Sequence, residues 1–135
     1  MSLEITQRER EGIVILDLNG RITAGAEATV FRERVDSTLS SGKPNVILNM
    51  AEVDYVDSTG LGALVMLATR LRKAEGNMKL LNVNRRNIEL LVMTKLSTIF
   101  EIFDDEQEAI NSFFPNRKIR KFDILSFVQQ IKDEG

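Results

Sequence analysis

The chain has 135 residues, of which 43% are hydrophobic and 28% are charged, and its formal net charge is −2. A chain of this length forms one hydrophobic core and is too short for two full domains. The even charge balance argues against a protein that binds nucleic acid directly over its surface, because such proteins are strongly basic. The sequence contains no cysteine, histidine or tryptophan. This removes thiolate metal sites, cysteine nucleophiles and Ser-His-Asp triads, so an enzyme is the least favoured class and we expect no cofactor.

No apolar run approaches the roughly 20 residues that a membrane helix needs, and the longest is 63–68. The N-terminal segment MSLEITQRER lacks the apolar region of a signal peptide. We therefore expect a cytoplasmic protein without membrane contact.

Hydrophobic periodicity predicts the order β-β-α-β-α-β-α-β-α. An alternating strand at 3–10 is followed by a turn at Glu11-Gly12 and a second, antiparallel strand at 13–18, which ends at Asn19-Gly20. Strand–helix alternation after this hairpin predicts an α/β layer with a mostly parallel sheet. The later predicted elements are a helix at 26–39, a strand at 45–50, a polar connection at 51–56, a helix at 60–73, a strand at 78–83, a helix at 85–94, a strand at 99–103 and an acidic helix at 104–114.

Pro115 interrupts this pattern, so we divide the chain into a domain at 1–114 and a tail at 115–135. The tail contains a basic linker, which we expect to face the acidic run at 104–108, and an amphipathic helix at 122–132. That helix could dock on the domain or on a second subunit, and the sequence leaves both open. The basic residues of the linker are Arg117, Lys118, Arg120 and Lys121.

The most informative segment is the turn Asp57-Ser58-Thr59, which joins a strand to a helix. The first N–H groups of a helix lack partners inside the helix, and its dipole favours an anion at that end. A phosphorylated hydroxyl is therefore chemically reasonable at this position, although a simple helix cap is the alternative role for Ser58 and Thr59. Gly60 and Gly62 could leave the helix start open to a second protein, or could serve close packing between helix and strand.

The run DSTGLGAL at 57–64 resembles the signature of the STAS domain, and most closely that of bacterial anti-sigma factor antagonists. The order of elements over residues 1–114 is similar to that family's. The resemblance implies a single α/β domain with a mixed, mostly parallel sheet of about five strands, an N-terminal hairpin and about four helices, with the tail helix added.

The same resemblance implies control of transcription by partner switching. Such proteins bind an anti-sigma factor that is also a serine kinase with a GHKL-type ATP fold, and thereby release the sigma factor. The kinase phosphorylates the serine after the signature Asp, which here is Ser58, with Thr59 as second choice, and a serine phosphatase restores binding. The resemblance also implies that the protein is a substrate of the kinase and has no catalytic residues of its own.

The partner surface implied by the family combines the signature turn with the loop after the second strand. Many members carry an acidic residue in that loop, in a pattern like G-x-L-D, and Thr23 replaces it here. The signature helix is apolar nearly all round, so one flank is either buried between the sheet and a neighbouring helix or forms a surface for a partner or a homodimer. The predicted partner-binding residues are Arg21, Ile22, Thr23, Ala24, Gly25, Asp57, Ser58, Thr59, Gly60, Leu61, Gly62 and Met66.

Two other functions stay open at this stage. One is a STAS-like scaffold in a signalling or lipid-transport complex, without phosphorylation. The other is a domain that senses a small ligand or nucleotide through the turn amides of Ser58–Gly60.

Overall fold

A computed structural model describes residues 3–23, 25–40, 42, 45–119 and 122–134. Ala24, Arg120 and Lys121, which the sequence assigns to the partner surface and the basic linker, lie outside the described residues. The elements are β1 (Glu4–Arg10), β2 (Ile13–Ile22), α1 (Ala26–Ser40), β3 (Asn45–Val56), α2 (Ser58–Lys73), β4 (Asn77–Leu81), α3 (Arg85–Met93), a 3₁₀ turn (Leu96–Thr98), β5 (Glu101–Phe103), α4 (Glu106–Asn111) and α5 (Ile124–Glu134).

The five strands form one sheet in the order β1-β2-β3-β4-β5. The β1–β2 pair is antiparallel and the other three pairs are parallel, so the predicted mixed sheet with an N-terminal hairpin is confirmed. The hairpin turn has positive φ at both Glu11 and Gly12, as a two-residue turn that matches the strand twist requires.

Strands β2 and β3 are longer than the sequence predicts. The expected end of β2 at Asn19-Gly20 is wrong, because the chain passes two register irregularities there and continues to Ile22. The expected connection at 51–56 is likewise a continuation of β3, paired with this extension. A bulge interrupts the two-residue alternation of buried side chains. A strand that contains a bulge therefore cannot be recognised from that alternation. Both strands therefore reach the start of α2.

The sheet separates two apolar clusters. Helices α1, α2 and α3 cover one face, and the larger cluster there includes Phe31, Leu48, Leu64 and Leu91. Helix α4 covers the other face over a smaller cluster. The predicted end of this helix at residue 114 is wrong, because the helix ends at Asn111. Phe113 and Phe114 follow the helix and pack against the same cluster. The members of the smaller cluster are Ile13, Ile15, Ile47, Leu81, Phe103, Ala109 and Ile110.

A polar network on the α4 face ties the hairpin to that helix. Arg8 holds Asp17 through two hydrogen bonds of 2.7 and 3.1 Å, and it also pairs with Glu106, which in turn pairs with Arg10. These guanidinium groups lower the pKa of Glu106 to about 2, with Arg8 the larger cause. The acidic run thus contacts the hairpin, whereas Arg117 of the linker pairs with Glu11 at 2.8 Å. The expectation that the linker faces the acidic run is wrong for Arg117.

The tail helix packs on the domain. Phe122, Ile124 and Phe127 contact the larger cluster, and the Phe122 N–H donates to the Ile102 carbonyl at 2.9 Å beside the edge strand β5. The two phenylalanine rings lie 5.6 Å apart. The sequence left open whether the tail helix docks on the domain or on a second subunit. In the structure it docks on the domain of its own chain. None of the helices in the described ranges is long and apolar enough to cross a membrane.

Candidate functional site

The turn between β3 and α2 has an Asp cap and an exposed serine. The Asp57 carboxylate accepts a hydrogen bond from the Gly60 N–H at 2.8 Å, and its carbonyl accepts one from the Leu61 N–H at 2.8 Å. The Asp57 N–H donates to the Ile22 carbonyl at 3.2 Å, which joins the turn to the end of β2. Because Asp57 serves as the cap, Ser58 and Thr59 occupy the first two helical positions with exposed side chains. The capping role considered for the two hydroxyls therefore belongs to Asp57.

The two glycines of the signature have different environments. Gly60 is buried, and a Cβ built on it would lie 2.0 Å from the Ile22 carbonyl oxygen. Gly62 is exposed and has no neighbouring atom within 4 Å of such a Cβ. Gly60 therefore allows α2 to pack closely against the end of β2. Gly62 leaves the surface of α2 open.

The predicted partner-binding residues divide by burial. Arg21, Ser58, Thr59, Gly25 and Gly62 are exposed, and Thr23, Asp57 and Met66 are half-buried. Ile22, Gly60 and Leu61 are buried and support the turn from beneath, and Leu61 also lines the groove beside the turn. The hydrogen bond from the Asp57 N–H to the Ile22 carbonyl places the turn and the start of α2 next to the end of β2, where the β2–α1 loop begins.

A groove of about 270 Å³ lies between the turn and α3, and we call it the Ser58 groove. Its floor and far wall are mostly apolar, and its polar groups come from both elements. The groove is lined by Tyr55, Val56, Asp57, Ser58, Leu61, Arg86, Asn87, Glu89, Leu90, Met93 and Thr94.

Two asparagines fix α3 against β3 beside this groove. Asn84 caps α3 by accepting a hydrogen bond from the Asn87 N–H at 2.8 Å. Both side-chain amides donate to the Val53 carbonyl, from Asn84 at 3.0 Å and from Asn87 at 3.2 Å. The start of α3 is therefore held at a set position relative to the Ser58 turn.

Arg86 lies between the Ser58 groove and a second depression, which we call the Arg21 cleft. The Arg86 guanidinium carbon is 5.2 Å from the centre of the Tyr55 ring, within the range of a cation–π contact. The Arg21 cleft is lined by Arg21, Asp54, Tyr55 and Arg86. Sequence reasoning missed Tyr55, Arg86 and Met93 as site residues. Tyr55 offered a signal, because it is the one tyrosine of the chain and lies two residues before the signature.

On the other side of the turn, a shallow depression joins α1 to α2. It is lined by Arg32, Thr59, Gly62, Ala63 and Met66. The predicted residues Gly62 and Met66 therefore share a surface with Thr59, and Arg32 adds a positive charge at its edge. Within the described ranges, no three carboxylates or other metal-ligating side chains come together.

Comparison with known proteins agrees with this architecture. The family model described as the STAS domain matches residues 4–109. An anti-sigma-B factor antagonist of Listeria monocytogenes is 33% identical over 110 residues, which are 80% of this chain and 93% of that protein. The crystal structure of a candidate anti-sigma factor antagonist from Thermotoga maritima has a TM-score of 0.75 and 26% identity, covering 80% of this chain and 92% of its own.

The fold is also that of the Bacillus protein SpoIIAA, solved in a phosphorylated form. That structure has a TM-score of 0.64 at 19% identity and covers 82% of this chain and 99% of its own. The matched segment contains the hairpin, the sheet and the Ser58 turn, and the tail helix lies beyond it. The chain belongs to the STAS domain family, and its relatives include proteins named anti-sigma factor antagonists.

Proposed function

We propose that this protein is an anti-sigma factor antagonist whose binding is switched off by phosphorylation of Ser58. Its partner would be an anti-sigma factor that is also a serine kinase of the GHKL type, and a serine phosphatase would restore binding. The observation that carries the proposal is the exposed Ser58 hydroxyl at the first position of α2, next to an Asp that already serves as the cap. The names of the relatives support the partner class.

The chemistry assigned to this chain is that of a substrate. The γ-phosphoryl group of ATP would pass to Ser58 Oγ, which loses its proton, and ADP would leave. Hydrolysis of the phosphoserine by the phosphatase would release inorganic phosphate. The protein needs no catalytic group of its own for either step, so we propose that it is not an enzyme.

The charges around the turn support the direction of the switch. A phosphate adds about −1.5 to −2 charges at pH 7, directly beside Asp57. At the centre of an interface this charge must lose water and meets like charge, and a loss of about a hundredfold in affinity is the expected scale. The fold itself need not change, because Ser58 is exposed and its hydroxyl is not the helix cap.

The proposed partner surface is centred on Ser58 and extends to both sides of it. One side is the Ser58 groove, and the other is the depression at Thr59, Gly62 and Met66. Thr23 stands where the family pattern G-x-L-D has an acid, so we expect partner selection to differ from that of members that keep the acid.

The test is a pair of measurements with a candidate anti-sigma factor kinase. Its binding to the unmodified protein is measured by calorimetry with ADP present, and phosphorylation is then followed with ATP. We expect binding of the unmodified form, one phosphate on Ser58, and loss of binding after transfer. Equal binding before and after phosphorylation would contradict the switch.

A small-ligand sensor is the second candidate. The Ser58 groove, with its apolar floor, the Tyr55 ring and Arg86, has the composition of a ligand site. Its volume of about 270 Å³ is slightly below the usual range for such pockets, so we rank this function second.

A further inference from the structure

We propose that Arg86 is the internal partner of a phosphate on Ser58: once Ser58 is phosphorylated, the Arg86 guanidinium pairs with it across the Ser58 groove. This inference rests on the proposed phosphorylation of Ser58 and names the residue that receives its product. It also makes α3 part of the switch, because Arg86 belongs to this helix and lines the Arg21 cleft as well as the Ser58 groove.

Arg86 is positioned to face Ser58 across the groove that both residues line. Arg86 and Ser58 line the same groove, although they lie on different helices. The backbone of Arg86 is fixed, because Asn84 and Asn87 on either side are bonded to the Val53 carbonyl of β3 at 3.0 and 3.2 Å. The exposed side chain is therefore the part of Arg86 that would move toward a phosphate on Ser58.

The charge of Arg86 is not neutralised by a carboxylate in the described part of the chain. Its neighbour Arg85 pairs with Glu89 at 3.1 Å, whereas Arg86 has no ion pair with a carboxylate in the described part of the chain. The Arg86 guanidinium carbon lies 5.2 Å from the centre of the Tyr55 ring, a contact that orients a guanidinium without cancelling its charge. An arginine in this state can form a bidentate pair with a phosphate at little cost.

The surrounding charges decide which anion Arg86 meets. Asp57 and Glu89 lie in the Ser58 groove, and Arg21 and Asp54 lie in the Arg21 cleft. Asp57 is engaged with the Gly60 N–H and Glu89 with Arg85, so neither competes strongly for Arg86. Asp54 carries one charge at most, and a phosphate on Ser58 carries nearly two with three acceptor oxygens.

The phosphate itself needs a cation in this groove. The carboxylates of Asp57 and Glu89 repel it, and the buried Asn87 Oδ1, which has no hydrogen-bond partner, offers it no donor. Arg86 is the one cationic side chain among the residues that line the Ser58 groove. Pairing would draw Arg86 away from Tyr55 and so alter the groove and the Arg21 cleft together.

The experiment is a ³¹P NMR titration of the full chain with phosphoserine installed at position 58 during translation. No kinase is needed, so the result is independent of whether cells phosphorylate Ser58. The second pKa of phosphoserine is ordinarily about 6, and a partly exposed ion pair lowers it by about 0.5 unit. We expect the pKa to rise by that amount in Arg86→Ala and by less in Arg86→Lys.

Arg72→Ala is the matched control, because it removes the same charge from an exposed arginine near the far end of α2 that does not line the Ser58 groove. We expect its phosphoserine pKa to equal that of the wild type. The proposal is overturned if wild type and Arg86→Ala titrate within about 0.1 unit of each other, or if Arg72→Ala raises the pKa as much as Arg86→Ala does.

Discussion

Gly60 lies so close to Ile22 that a Cβ on Gly60 would be 2.0 Å from the Ile22 carbonyl oxygen. The same oxygen accepts the Asp57 N–H at 3.2 Å. One carbonyl at the end of β2 therefore sets both the cap and the first turn of α2. The turn that presents Ser58 depends on this contact.

Gly60→Ala should destabilise the protein, because the added methyl group forces α2 away from β2. We expect a loss of about 2–3 kcal/mol in the free energy of unfolding, measured by urea titration. Gly62→Ala is the matched control in the same helix, where the added methyl group meets nothing within 4 Å. It should gain about 0.5–1 kcal/mol from helix propensity. Equal effects of the two substitutions would contradict the packing role of Gly60.

Substitutions at Ser58 should separate binding from its control. Ser58→Ala should bind the partner as wild type does and accept no phosphate there, and Ser58→Asp should bind about a hundredfold more weakly. Thr59→Ala should still bind and still be phosphorylated.

Ser37→Asp controls for added charge, because Ser37 is exposed on α1 next to Asp36, which pairs with Arg70 near the far end of α2. We expect it to bind like wild type in the same calorimetric assay. If Ser37→Asp and Ser58→Asp weakened binding equally, the effect would come from net charge, and the location of the switch would be wrong.

The α/β order and the N-terminal hairpin could be predicted from sequence because their signals are local, whereas the STAS family was indicated by the resemblance of the run DSTGLGAL. The Glu11-Gly12 turn, the apolar runs of the strands and the Asp57 cap each lie within a few residues. The extension of β3 to Val56 could not be predicted, because β3 advances one residue more than β2 at each of two register irregularities, and this interrupts its alternation of buried side chains. The same limit applies at the site: Arg86 lies 28 positions after Ser58 in sequence, and only the pairing of β3 with β4 and the Asn84 cap brings it beside the turn.

The Arg8–Glu106 network should make stability depend on pH at the acid end. The folded pKa of Glu106, about 2, lies below its ordinary value of 4.5, so its contribution is complete above about pH 4.5 and disappears as the pH falls through 2. Glu106→Gln should therefore cost about 1–2 kcal/mol at pH 7 and progressively less toward pH 2.

Urea titrations at several pH values check this prediction. Glu33→Gln, at an exposed position of α1, is the control and should differ from wild type by less than about 0.5 kcal/mol at every pH. A constant difference between wild type and Glu106→Gln from pH 7 to pH 2 would mean that the charge of Glu106 contributes nothing.

The tail helix should contribute to stability through its inner face. Phe127 is half-buried against the larger cluster, whereas Leu125 on the same helix is 83% exposed. Phe127→Ala should cost about 2 kcal/mol, roughly half the cost at a fully buried site. Leu125→Ala should change stability by less than about 0.5 kcal/mol. If neither substitution had an effect, the tail would not be docked in solution.

The central claim is that Ser58 is a reversible phosphorylation site. The most direct measurement is intact-mass and phosphopeptide spectrometry of the protein isolated from its native cells before and after stress. We predict a single phosphate on Ser58 whose occupancy changes with stress. A phosphate confined to Thr59 would place the switch at the neighbouring residue, and an unmodified protein under every condition would contradict control by phosphorylation.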